Sequence, residues 1–115
     1  MNAQQLYDQG FDLRCSGKYR EAKQVFQEIL RHDPDHADAQ WQLGLIVGFE
    51  GNFEESSRVL SELIKTNPNH IGARYDLAMT LMMLGMEEEA CAHFHEVLRQ
   101  DPNHQKAQQQ IIFCS

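Results

Sequence analysis

Three prolines, each 34 residues from the next, divide the sequence at equal intervals. They are Pro34, Pro68 and Pro102, in the related pentapeptides HDPDH, TNPNH and QDPNH. When the chain is cut at this period, residues 3–36, 37–70 and 71–104 align without a gap. An internal repeat of this length predicts an array of similar units that stack on one another, because one unit cannot bury its apolar face alone.

Each block has the pattern of two helices, since apolar or small residues recur at helical spacing in both halves. The first helices carry Leu6, Gly10 and Leu13, then Leu43, Gly44 and Val47, then Leu77, Ala78 and Leu81. The second helices carry Ala22, Phe26, Ile29 and Leu30, then Ser56, Leu60, Leu63 and Ile64, then Ala90, Phe94, Val97 and Leu98. Gly17, Gly51 and Gly85 follow the first helices, where a left-handed cap is needed, and the prolines end the second helices.

Small residues in equivalent positions predict close contact between the two helices of each block. They are Gly10, Gly44 and Ala78 in the first helices and Ala22, Ser56 and Ala90 in the second. Small side chains at these positions let the two backbones approach, so that the larger apolar residues on either side interlock.

With these features the chain resembles the tetratricopeptide repeat family. The signature appears as Leu43-Gly44, as Ala22 with Phe26, as Ala90 with Phe94, and as the three prolines. It is altered at Gln9, Ser56, Leu60 and Glu87. The resemblance implies an all-α fold, a right-handed α-solenoid in one domain over residues 1–115, with repeats at 3–36, 37–70 and 71–104.

The segment 105–113 is predicted to form a seventh, capping helix. Ala107 and Ile111 fall in the columns of Ala39 and Leu43. Ile112 falls in the column of Gly10, Gly44 and Ala78, where a partner helix in the same repeat would require a small residue. This pattern indicates a cap and not a truncated fourth repeat.

The single tryptophan, Trp41, does not belong to the packed stripe of its helix. It comes one residue after a position of that stripe, and one residue turns the side chain by about 100° around the helix axis. It joins a second stripe of Tyr7, Phe11 and Arg14, then Trp41, Leu45 and Gly48, then Tyr75, Met79 and Met82. The resemblance implies that this stripe lines a concave groove, with Trp41 near its middle. Ordinary packing is the alternative reading of such a stripe. For Gly48, to which the register assigns no core contact, the alternatives are a hollow beside Trp41 and neutral drift.

Polar residues flank this stripe at Asp8, Asp38, Gln42 and Asp76, with Arg14 as the lone cation. An acidic rim favours a peptide or helix of another protein that carries Lys or Arg beside apolar anchors. Some family members instead hold the carboxylate of a chaperone tail with Lys, Arg and Asn. The resemblance places that clamp on Tyr7, Phe11, Gln42, Gly72 and Asp76, which include no basic residue and no Asn, so this ligand is disfavoured.

The predicted function is therefore a non-enzymatic protein-interaction module, and a monomer is favoured. The alternative is a structural module that forms a homo-oligomer through the groove or through the apolar end Ile111-Ile112-Phe113. Oligomer mass in solution separates the two.

Other classes of function have little support in the sequence. A net charge of −7 without a basic cluster disfavours nucleic acid. The N-terminus does not resemble a signal peptide and no long apolar run occurs, so a cytoplasmic protein without membrane contact is expected. No catalytic motif appears, and no cofactor or metal is expected. His36, His70 and His104 occupy equivalent turns too far apart to share an ion, and they are predicted to be solvated surface residues.

The three cysteines are Cys15, Cys91 and Cys114, which are widely spaced and form no CxxC pair. They are predicted to be free thiols in a reducing compartment, without a disulfide or a thiolate metal site. Cys114 is expected to be the one that oxidises between molecules in air.

Overall fold

The computed structural model describes residues 1–114, and its secondary structure is entirely helical over that range. The helices are α1 (Ala3–Cys15), α2 (Tyr19–His32), α3 (Ala37–Phe49), α4 (Phe53–Thr66), α5 (Ile71–Met83), α6 (Glu87–Gln100) and α7 (Gln105–Ile111). None of the helices in this range is both long and apolar enough to cross a membrane. The predicted all-α class is confirmed.

The helices form an elongated stack in which each one packs against the next along the chain. The principal dimensions are 47 × 26 × 22 Å. Contacts also join α1 to α3 and α3 to α5, so these three helices lie side by side. This arrangement is a helical solenoid, as predicted. The last helix, α7, ends at Ile111, before the predicted end at 113, and leaves Ile112 and Phe113 exposed.

The three glycines that follow the first helices of the repeats adopt the left-handed conformation. Gly17, Gly51 and Gly85 have φ of +77°, +92° and +76°. At the first of them, the Gly17 N–H donates to the Arg14 carbonyl and the Lys18 N–H donates to the Leu13 carbonyl. This pair of hydrogen bonds is a Schellman motif, which satisfies carbonyls that the end of α1 would otherwise leave unpaired.

Close contact between paired helices requires the small residues, as the sequence predicts. A Cβ atom added at Gly10 would lie 2.8 Å from Cζ of Phe26, and one added at Gly44 would lie 2.8 Å from Cδ2 of Leu60. Large buried side chains of the second helices therefore fill these positions. The Ser56 hydroxyl also donates to the Gly44 carbonyl at 2.8 Å, which satisfies the one polar group that Ser56 brings into the core.

The histidines that follow the proline turns are N-caps and not merely solvated residues, so the prediction for them is wrong. The side chains of His36, His70 and His104 accept the N–H groups of Ala39, Ala73 and Ala107 through Nδ1, at 3.1, 3.0 and 3.1 Å. Each imidazole also lies against an aromatic ring of the repeat that precedes the helix it caps. The ring partners are Tyr7, Trp41 and Tyr75, at centroid distances of 6.1, 4.9 and 5.1 Å. We call this set of contacts the histidine ladder.

Replacing His70 by alanine is expected to lower the free energy of unfolding by about 1 kcal/mol, because the start of α5 loses its cap. In the neutral imidazole, Nδ1 accepts from Ala73, so Nε2 carries the proton and donates to Asp38 Oδ1 at 3.0 Å. His70→Asn is the matched control, since asparagine caps a helix through its side-chain oxygen. Urea unfolding of both variants tests this. Equal losses for alanine and asparagine would contradict the capping role.

Two of the three cysteines form a disulfide bond, so the prediction of free thiols is wrong for them. Cys91 in α6 is bonded to Cys114, which follows α7. Cys15 is the free and exposed thiol. The sequence separation of 23 residues conceals the pair, because α7 must fold back on α6 before the two side chains meet.

Candidate functional site

Side chains from α1, α3 and α5 form one continuous face of the solenoid, which we call the α1–α3–α5 face. Phe11 is 39 % exposed, Phe49 is 52 % exposed and Met83 is 63 % exposed. Phe11 and Phe49 both contact Arg14, and Phe49 and Met83 line the same cavity, so the three exposed residues form one apolar patch. Three aromatic residues, Tyr7, Trp41 and Tyr75, lie partly buried beneath it.

The Trp41 side chain joins the second repeat to the third. Its Nε1–H donates to Asp76 Oδ2 at 2.7 Å, and its ring meets His70 edge to face. A Cβ atom at Gly72 would lie 2.7 Å from Trp41 Cζ2, so Gly72 leaves room for the indole. Trp41 therefore has a packing role at this face, and its Asp76 contact also orients a carboxylate.

The Gln42 side chain does not flank the stripe, which corrects the prediction for this residue. Its exposed fraction is 1 %, and its amide donates to the Tyr7 hydroxyl at 3.0 Å. The reason is that Gln42 lies on the side of α3 that faces α1. Burial raises the pKa of the Tyr7 hydroxyl above its ordinary value.

The Arg14 guanidinium lies between two aromatic rings of the α1–α3–α5 face. Its Cζ is 4.9 Å from the centroid of Phe11 and 5.8 Å from that of Phe49. Both contacts have cation–π geometry. The one cation of the predicted stripe is thus held by rings of α1 and α3.

A cavity of about 160 Å³ opens between α3, α4 and α5. We call it the α3–α5 cavity. Its lining is Leu45, Gly48, Phe49, Phe53, Ser56, Asp76, Met79, Thr80 and Met83. Leu45, Gly48, Asp76 and Met79 were predicted for the groove, whereas Met82 packs against the core instead. The residues not predicted for the groove are Phe49, Phe53, Ser56, Thr80 and Met83. Phe53 and Ser56 lie on α4, and the other three lie outside the i, i+4, i+7 stripe.

The position of Gly48 differs from both alternatives drawn from the sequence. A hollow is present, but the cavity lining does not include Trp41. The register assigned no core contact to Gly48, yet an added Cβ would lie 3.1 Å from Ser56 Oγ. The glycine thus both permits close approach of α4 and forms part of the cavity wall.

The Asp76 carboxylate lines the α3–α5 cavity although it is largely desolvated, which is unusual for a charged group. Burial raises its pKa, and this effect exceeds the lowering by the Trp41 hydrogen bond and by the nearby basic groups of Lys106, Arg14 and His70. The cavity hydroxyls do not compensate, since Thr80 donates to the Asp76 backbone carbonyl and Ser56 to a carbonyl of α3. A partly buried carboxylate thus lies in an apolar wall.

Family models place this chain among known repeat proteins. A tetratricopeptide repeat model matches residues 50–112, and a second tetratricopeptide repeat model matches residues 3–36. The first match covers more than half of the chain. The chain belongs to the tetratricopeptide repeat family. No curated protein matches the sequence significantly.

Solved structures of the same fold include proteins bound to peptides. The first TPR of Spaghetti (RPAP3), bound to the HSP90 peptide SRMEEVD, has a TM-score of 0.90 at 20 % identity, with 96 % of this chain and 88 % of that chain covered. The type III secretion chaperone SycD of Yersinia enterocolitica, in complex with a peptide of the translocator YopD, has a TM-score of 0.87 at 20 % identity, covering 96 % and 89 %.

A further similar structure is MamA from Desulfovibrio magneticus RS-1. It has a TM-score of 0.84 at 23 % identity, and the match covers 97 % of this chain and 63 % of that chain. At these identities the likeness establishes the fold alone.

Proposed function

We propose that the protein is a non-enzymatic interaction module whose α1–α3–α5 face binds a peptide or helix of a partner protein. The observation that carries this proposal is the apolar α3–α5 cavity beside exposed Phe49 and Met83. Apolar clefts with a few polar groups are the usual form of binding sites. The peptide complexes of two proteins with the same fold support it.

The residues proposed for peptide contact are those of the predicted stripe that reach the surface or the cavity. They are Tyr7, Phe11, Arg14, Trp41, Leu45, Gly48, Tyr75, Asp76 and Met79, together with Phe49 and Met83. Met82 packs against the core and is not proposed for contact. Gln42 is buried and donates a hydrogen bond to the Tyr7 hydroxyl, so it is not proposed for peptide contact.

The charge of this face favours a peptide with basic residues beside apolar anchors. Asp8 and Asp38 are exposed near Tyr7 and Trp41, and Asp76 lines the cavity. Complementary charge favours encounter with a basic partner. An acidic peptide such as SRMEEVD is not proposed, because Gln42 is buried and Trp41 covers Gly72, so two positions of the carboxylate clamp are closed.

Self-association is the second candidate function, and one observation favours it. Ile112 is 75 % exposed and Phe113 is 69 % exposed, next to each other beyond α7. Burial against a second copy would remove both side chains from water. Light scattering coupled to gel filtration measures the mass that decides this.

The leading proposal is tested by selecting binders from a library of displayed random peptides. The affinity of the selected peptides for the protein is then measured. Phe11→Ser is expected to weaken binding about tenfold or more, because aromatic anchors carry much of the energy of an interface. Phe113→Ser is the matched control, since it removes an exposed phenylalanine far along the chain from α1. Trp41→Ala is unsuitable, because the indole also holds two repeats together.

The same two variants, measured for oligomer mass and for peptide affinity, distinguish the two candidate functions. If Phe113→Ser converts a dimer to a monomer, self-association is correct. If both variants bind selected peptides as tightly as wild type does, the α1–α3–α5 face is not the binding surface.

A further inference from the structure

We propose that the α3–α5 cavity is a subsite for one lysine side chain of the partner peptide, with the ammonium group on Asp76 and the aliphatic stem against Leu45 and Met79. This inference rests on the proposed function and names the chemistry that one part of that face recognises. It requires three things of the cavity: an acceptor that is not already used, apolar walls, and no cation of the chain already bound there.

The acceptor is the second oxygen of the Asp76 carboxylate. Oδ2 accepts from Trp41, and the hydrogen bonds and ion pairs found among residues 1–114 include none to Oδ1. An asparagine here would also accept from the indole N–H, through its side-chain oxygen. The negative charge is therefore unnecessary for holding Trp41, although a partly buried charge is unfavourable unless it is paired.

The walls suit the stem of a lysine. Leu45 and Met79 lie on opposite helices, and Phe49, Phe53 and Met83 complete an apolar lining. Lysine buries its methylene groups on such surfaces and keeps its ammonium group on a polar one. A cavity of about 160 Å³ has room for one lysine side chain. Gly48 leaves part of this space open because glycine has no side chain.

The cations near Asp76 do not pair with it. Arg14 lies over the rings of Phe11 and Phe49. His70 is engaged with Asp38 and with the start of α5. Lys106 is exposed on α7, and no ion pair joins it to Asp76. A positive group brought by the partner is therefore the complement that this carboxylate still needs.

The probe for the test is n-butylammonium, which has the stem and the head group of lysine. The neutral comparison is n-pentanol, an uncharged alcohol that is one methylene group longer, so its apolar burial favours the alcohol and not the ammonium ion. Trp41 is the only tryptophan, and its indole N–H donates to Asp76, so its nitrogen–proton NMR resonance reports on this carboxylate. We expect n-butylammonium to shift that resonance saturably. The expected affinity is about tenfold or more above that of n-pentanol, because one partner of the charge pair is missing in the alcohol.

Two variants of the cavity complete the experiment. Asp76→Asn keeps an acceptor for Trp41 and is expected to weaken n-butylammonium binding about tenfold or more. Gly48→Leu is expected to abolish binding by filling the cavity. Lys106→Ala is the control and should bind as wild type does. Equal binding of n-pentanol and n-butylammonium, or undiminished binding to Asp76→Asn, would overturn the proposal.

The pH dependence follows from the ionisation of Asp76. Because burial raises the pKa of this carboxyl, n-butylammonium binding should be lost on acidification at a higher pH than for an exposed aspartate. For the free protein, a raised pKa means that the protonated form is stabilising and that this stability is lost as the pH rises through the folded-state value. Asp76→Asn should therefore be at least as stable as wild type at neutral pH.

The outcome here is separable from that for the proposed function. If selected peptides bind the α1–α3–α5 face but n-butylammonium does not bind, the lysine subsite is wrong and the interaction module stands. If n-butylammonium binds as expected while no peptide is selected, the cavity binds an ammonium group as proposed and the peptide-binding function is wrong.

Discussion

Replacing Phe26 by alanine is expected to lower the free energy of unfolding by about 3–5 kcal/mol, measured by urea denaturation. The side chain is fully buried, its ring lies across Gly10, and it meets the Tyr7 ring edge to face at 5.7 Å. The alanine would leave a cavity that the backbone of α1 cannot fill, because glycine has no side chain to move into it.

The control is Phe49→Ala, which removes a phenylalanine that is 52 % exposed. A loss of the same size at both positions would contradict the assigned packing of α1 on α2. A second measurement is the cycle with Gly10→Ala. That substitution alone places a methyl group against the Phe26 ring and should be destabilising, whereas in the background of Phe26→Ala its effect should be smaller.

Reducing the bond between Cys91 and Cys114 is expected to lower the free energy of unfolding by about 3 kcal/mol, the value for a loop of this length. The bond closes a segment of 23 residues that contains α7 and the last turns of α6. Closing it restricts the unfolded chain more than the folded one. Urea unfolding with and without dithiothreitol measures the difference.

Cys15→Ser is the matched control for reduction, since Cys15 is exposed and free. It should leave the effect of dithiothreitol intact, whereas Cys114→Ser should abolish that effect. Wild-type protein that unfolds at the same urea concentration with and without dithiothreitol would show that the bond does not contribute to stability.

The fold could be predicted because its determinants lie in the order of residues along one repeat. The period of 34 residues defines the register, and Gly17 and Pro34 mark where helices end. These signals are local. Gly17 ends a helix through its positive φ value, and Pro34 ends one because proline has no backbone N–H group. Small residues such as Gly10 are also local signals. Close approach of another helix requires a small side chain at the contact, whichever helix packs there.

The candidate site was predicted less completely, because its details depend on the distances between helices. Gln42 follows Trp41 in sequence, and only the approach of α1 shows that Gln42 is buried. Met83 lines the cavity while Met82 packs inward, a difference of one position on α5. Cys114 finds its partner only because α7 ends at Ile111 and the chain then turns back on α6.

The histidine ladder makes the folding of neighbouring repeats interdependent. His36 begins α3 of the second repeat while its ring lies on Tyr7 of the first, and His70 connects the second repeat to the third in the same way. One side chain thus contributes both to helix initiation and to the interface between units. In a one-dimensional array, such shared groups strengthen nearest-neighbour coupling relative to the intrinsic stability of each unit. The second repeat, excised as residues 37–70, would lose both the His36 cap of α3 and the first repeat on which that ring packs, so we expect the array to unfold cooperatively and not one repeat at a time.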